Sequence, residues 1–200
     1  YAKEKKLPIE WLKPEFQLSN GMWKNETFIR IPYLDENGDK VLFRKRFPKG
    51  SATRFKWGKG AAGKILMYGE WRFARIREIR YVILVEGESD TQTLWYLDFP
   101  ALGVPGATTF KSDWAARLQG LDVYIHVEPD KAGQNFRNLI TNKLIEAGHK
   151  SAVKSLSCQI LGVKDPSELL QRDGKDEAKI GIEKLIDGAE VVDLKAAAAT

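Results

Sequence analysis

Two pairs of carboxylates in this chain have the residue types and spacing for metal-assisted phosphate chemistry. Glu86 and Asp90 stand four residues apart around Gly87, and Glu128 and Asp130 stand two apart, just before Gly133. Two carboxylates about 4 Å apart repel by roughly 4 kcal/mol at an effective dielectric near 20, so four together need protons or cations. Hard oxygen ligands with no His or Cys beside them favour Mg²⁺ or Mn²⁺ over zinc. Any one of these acids could equally be a solvated loop residue or a helix cap. The repeated pairing is what points to a site.

The elements that would position them can be read next. Tyr81 to Val85 is an uncharged run of aromatic, β-branched and leucine residues, which suits a strand buried on both faces of a parallel sheet. Glu86 closes that run. Asp122 to Val127 repeats the arrangement and leads into Glu128, so both acid pairs fall where parallel strands end and α/β proteins place their chemistry. Between them the sequence predicts a helix over 91–97, a strand over 101–104, a close backbone turn at Gly103 to Gly106, and a helix over 111–118 with Trp114 in the core. A helix from Lys131 to Ala147 stops at Gly148, His149 follows at an exposed position, and 152–161 reads as a fourth strand carrying an inert Cys158. His126 lies within its strand as a core or near-site hydrogen bonder. Asp165 caps a helix opened by Pro166, with Glu168 completing a capping box, and 180–186 gives a last amphipathic helix.

Upstream, 1–18 reads as one or two short helices, Ser19 to Gly21 as a turn, and 27–33 and 40–47 as a hairpin joined at Asn37-Gly38. Lys40 to Lys64 carries nine Lys or Arg residues and no acid, whereas Tyr81 to Gly133 carries eight acids against three bases. Such segregation suggests a polyanion gripped by one half and presented to metals held by the other. Phe43, Phe47, Phe55 and Trp57 interleave with the bases, either for stacking or as the core side of the strands. The 200 residues are 43% hydrophobic, enough for a core, and the net charge is +5. One cysteine excludes a disulfide framework and a cysteine zinc site and suits the cytoplasm. No apolar stretch is long enough to cross a membrane, and nothing resembles a signal peptide. The chain opens at Tyr1, which suggests a piece of a longer protein, and Ala196 to Ala199 reads as a frayed tail.

Val85-Glu86-Gly87-Glu88-Ser89-Asp90, then Gly103 and Gly106, then Glu128-Pro-Asp130-Lys-Ala-Gly133, resembles the Toprim domain of bacterial and phage-type primases, topoisomerases, OLD-type nucleases and recombination mediators. The resemblance covers roughly residues 80–172, and Glu128 stands where Asp is usual. Residues 28–69 resemble the segment that precedes Toprim in primases: Ile31-Pro32, Asp35 to Gly38, Arg44-Lys-Arg46, Arg54-Phe55 and Leu66-Met-Tyr68-Gly69 follow in that order. This implies an α/β fold, a mostly parallel four-stranded sheet flanked by helices and preceded by a small, basic, mainly-β subdomain. The implied division is 1–79, 80–172 and a C-terminal helix and tail over 173–200. It also implies a DNA primase using two Mg²⁺ or Mn²⁺ ions at Glu86, Asp90, Glu128 and Asp130, with Asp165 joining the metal ligands and no zinc in this piece. Arg44, Arg46, Arg54, Lys56 and Lys64 would bind nucleotide or DNA. The partners would be a single-stranded DNA template, nucleoside triphosphates and a replicative helicase, and no membrane. Two other readings remain: a non-catalytic Toprim binding module of a helicase or mobile-element protein, and an OLD-like nuclease.

Overall fold

The structure is a computed structural model; it describes residues 1–61, 63 and 65–194. Two sheets share one interior. The smaller is antiparallel, in the order β1 (Ser19–Trp23), β2 (Glu26–Leu34), β3 (Lys40–Arg46), β4 (Phe55–Trp57). Two short helices, α1 (Ala2–Lys5) and α2 (Ile9–Phe16), precede it. The expected turn at Ser19 to Gly21 is instead strand. Lys24 and Asn25 make the reversal, at φ 50° and 63°, and Gly21 serves packing, since a Cβ there would lie 2.4 Å from the Phe28 ring. The β2–β3 turn falls where Asn37-Gly38 placed it. The Asp35 carboxylate accepts from the N–H groups of Asn37 and Asp39, and Gly38 takes φ 83°.

The larger sheet runs β6 (Ala101–Val104), β5 (Tyr81–Glu86), β7 (Asp122–His126), β8 (Val153–Leu156), β9 (Glu190–Val191). All pairings are parallel except β8 with β9. The architecture is therefore the expected α/β one, a mostly parallel sheet flanked by helices, with a short antiparallel fifth strand on its edge. The β5 run is buried on both faces as its composition demands. Ile83 and Val85 join one core, Val82 and Leu84 the other. The first core takes in α2, α4 (Glu88–Tyr96), α7 (Pro166–Asp173), α8 (Lys175–Asp187) and the inner face of the small sheet, where Ile31 and Tyr33 are fully buried. The second is roofed by α3 (Phe73–Ile79), α5 (Ser112–Arg117) and α6 (Lys131–Glu146). Each fully buried Phe, Leu or Ile contributes roughly 1.5–3 kcal/mol.

Two further expectations need correction. The strand placed over 152–161 ends at Leu156, because the Ser157 hydroxyl accepts from the Gln159 N–H and starts a one-turn helix over Cys158–Leu161. His149 is 5% exposed rather than exposed, since the chain turns inward after Gly148, which takes φ 67°. No helix among the described residues is long and apolar enough to cross a membrane.

Candidate functional site

The acids meet at the carboxyl edge of the large sheet. β5 delivers Glu86 there, and Gly87, at φ 78°, turns the chain into α4. A Cβ on Gly103 would sit 2.5 Å from the Gly87 carbonyl oxygen and 2.4 Å from Thr91 Oγ1, so glycine is what lets β6 lie against this turn. α4 begins at Glu88, three residues before the expected start, which puts Asp90 in its first turn and turns it inward toward α7. Asp90 is 6% exposed and accepts a 3.1 Å bond from the Ser167 N–H. Asp165 caps α7 by accepting from the Glu168 N–H at 2.7 Å, while Glu168 accepts from the Lys164 N–H. From the β7 side come Glu128, whose backbone packs on Gly133, and Asp130, which caps α6 by accepting from the Gly133 N–H at 2.9 Å.

One oxygen each of Asp90, Glu128 and Asp165 lies within 4.8 Å of the others. At that separation two ionised carboxylates repel by about 3.5 kcal/mol at an effective dielectric of 20. Glu86 and Asp130 lie outside this trio but beside it. Burial, then the charges of Glu128 and Asp130, push the Glu86 carboxyl up to about 7 against the pull of Lys164. Burial and the neighbouring Asp165 push Asp90 up to about 7 as well. One Glu86 oxygen is buried with no hydrogen-bond partner. Lys164 brings a positive charge to the trio, its ammonium 2.7 Å from Glu128 Oε2. His126, behind the site, is held down to about 4 by burial.

The basic residues among those described take three places. Arg44 sits in the seam between the sheets, 3.1 Å from Glu88, with its guanidinium 4.4 Å from the Phe55 ring. Tyr33 donates to the same Glu88 carboxylate at 2.6 Å, so Glu88, 2% exposed, ties the small sheet to α4. Arg46 and Arg54 converge on Glu4 at 3.6 and 3.5 Å and border a cavity of about 400 Å³ with Tyr1, Thr27 and Lys49. Lys56 is exposed on the opposite face of β4, and Lys64 lies outside the described residues. Glu88 and Lys164 were not singled out by sequence reasoning. A Glu beside a Glu-Gly turn has no distinguishing spacing, and Lys164 is one lysine among many.

No protein-family model and no curated protein matches the chain in sequence. Solved structures do match in fold. An E. coli primase catalytic core superimposes with a TM-score of 0.73 at 14% identity, covering 96% of this chain and 72% of that one. The zinc-binding and RNA polymerase domains of Aquifex aeolicus primase give 0.66 at 21% identity, with 96% and 48% coverage. A DnaG primase catalytic domain bound to single-stranded DNA gives 0.66 at 17% identity, with 98% and 63% coverage. The chain thus spans between 48% and 63% of the length of these last two. Its fold is that of DnaG-type primase catalytic cores.

Proposed function

We propose that this chain is the catalytic core of a primase-like nucleotidyltransferase that joins ribonucleotides or deoxyribonucleotides on a single-stranded DNA template. The observation that carries the reading is the convergence of Asp90, Glu128 and Asp165, flanked by Glu86 and Asp130, at the carboxyl edge of a primase-like fold. Their chemistry fits Mg²⁺ or Mn²⁺: every donor is a hard oxygen, and one Glu86 oxygen is buried and unpaired. Divalent cations held by these five residues would supply Lewis acidity, lowering the pKa of an attacking 3′-hydroxyl and offsetting charge on the phosphate. Asp90 and Asp165 accept from the Ser167 and Glu168 N–H groups in the first turn of α7, and Asp130 from that of Gly133, so these three donors are preorganised. Lys164 is placed to balance Glu128. Arg46 and Arg54 offer paired guanidiniums to nucleotide or template phosphates, with Glu4 occupying that position in their absence. Arg44 acts as a strut with Glu88 that aligns the basic half with the acidic half.

The test is incubation with Mg²⁺ or Mn²⁺, single-stranded DNA and labelled nucleotides. Template-dependent products are expected, and they should disappear in Glu86→Gln and Asp90→Asn with the fold intact. Cleavage of the DNA would make the chain a nuclease, and neither reaction would make it a binding module. A replicative helicase is the expected partner, assayed by its effect on primer yield.

A further inference from the structure

The outward face of the small sheet carries a feature that the acidic site does not use. Alternate residues of a strand point to opposite faces. Ile31, Tyr33, Arg44 and Trp57 point inward, so their neighbours point out. The pairing register sets Arg30, Lys45 and Lys56 directly opposite one another across β2, β3 and β4. Like charges placed opposite across strands destabilise a sheet, yet among the described residues none of these three is ion-paired to a carboxylate. Each instead lies over an aromatic ring of the same face. Lys56 is 4.1 Å and Lys45 5.3 Å from the Trp23 ring centre, and Lys24 comes to 4.8 Å. Lys45 is also 5.0 Å from Phe28, and Arg30 is 4.9 Å from Phe43. Glycines back two of these rings: a Cβ on Gly21 or Gly58 would strike Phe28 or Phe43 at 2.4 or 2.6 Å. The Phe28 and Phe43 rings therefore pack over glycine backbone, and Trp23 and Phe43 are partly exposed.

We infer that this face is a binding platform for single-stranded nucleic acid, with Trp23 and Phe43 stacking bases and Arg30, Lys45, Lys56 and Lys24 contacting phosphates. A row of cations with no carboxylate partner suits a polyanion, and partly exposed aromatics among them suit unpaired bases, whereas a duplex keeps its bases stacked inside. The face is turned away from the inner face that Arg44 and Glu88 bind to the acidic half, so it would hold a strand before or after the reacting segment. The inference takes from the proposed function only that the protein handles nucleic acid.

The experiment is anisotropy of a labelled oligothymidylate with the full chain in EDTA, across a range of salt, so that metal chemistry plays no part and its failure is scored separately in the synthesis assay. Each single-strand phosphate contact contributes about 0.7 to the slope of log K against log salt, so the triple variant Lys24→Gln, Lys45→Gln, Lys56→Gln should flatten it by about 2. Trp23→Leu should weaken binding on the order of tenfold, while Trp23→Phe keeps most of it. Thermal melts within a few degrees of the parent show that the variants fold. An unchanged slope in the triple variant, or equal binding by Trp23→Leu and the parent, would overturn the platform. Tighter binding of a duplex or of a polyglutamate peptide than of the oligothymidylate would overturn its assignment to single strands.

Discussion

Asp90→Asn should make the metal-free protein more stable at alkaline pH while destroying metal binding. An aspartate ordinarily titrates near 3.8, and folding carries Asp90 to about 7 through burial and the nearby Asp165. Below pH about 4 the group is protonated in both states and costs nothing. Between those two values the unfolded chain loses its proton first, so stability falls as pH rises, and above about 7 the loss is complete. A shift of about 3 units at 1.36 kcal/mol each sets an upper bound near 4 kcal/mol. Asparagine keeps an acceptor for the Ser167 N–H and removes the charge, but it also loses the attraction of Lys5. A gain of about 2 kcal/mol is therefore expected, or about 4–8 °C in melting temperature for a chain of this size. The assay is thermal unfolding of both proteins in EDTA, near pH 5 and near pH 8. The gain should appear at the higher pH and shrink at the lower. Mg²⁺ should then reverse the order, since a cation at a hundred times its Kd stabilises the parent by about 2.7 kcal/mol and the variant hardly at all. An asparagine variant less stable than the parent near pH 8 in EDTA would refute the reasoning.

Three other outcomes follow from the same geometry. Glu88→Ala strands the Arg44 charge and the Tyr33 hydroxyl in the seam and should cost about 3 kcal/mol, whereas adding Arg44→Met should recover part of it in a double-mutant cycle of denaturant melts. Gly133→Ala would put a Cβ 2.2 Å from the Glu128 carbonyl oxygen, so it should weaken Mn²⁺ binding at least tenfold without altering any acid, as read by calorimetry. Arg46→Ala with Arg54→Ala should weaken nucleotide binding and flatten its salt dependence by about 1 to 2 in slope.

The convergence of acids at one edge could be anticipated from sequence because most of them follow two strand-like runs. Tyr81 to Val85 and Asp122 to Val127 suit strands buried on both faces, and an acid that closes such a strand stands at its carboxyl end. The Asp165 cap was legible because it is a local bond between side chain and backbone, although Glu168 reaches back to the Lys164 N–H rather than to that of Asp165. What escaped were contacts set by tertiary packing. The Asn20-Gly21 pair looks like a turn, but its glycine makes room for the Phe28 ring from the next strand. Glu88 has its role only because Tyr33 and Arg44 arrive from residues far upstream. The basic stretch reads as uniform charge, whereas strand alternation sends Arg44 and Arg46 to the inner face, the one a half-buried strut and the other paired with Arg54, and Lys45 and Lys56 to the outer face over aromatic rings.

The most direct measurement is a Mn²⁺ titration followed by electron paramagnetic resonance, on the parent and on Asp90→Asn combined with Asp165→Asn. Saturable binding by the parent that is lost in the folded double variant is the predicted result. Equal Mn²⁺ binding by both proteins would contradict the assignment of this carboxylate cluster as the metal centre.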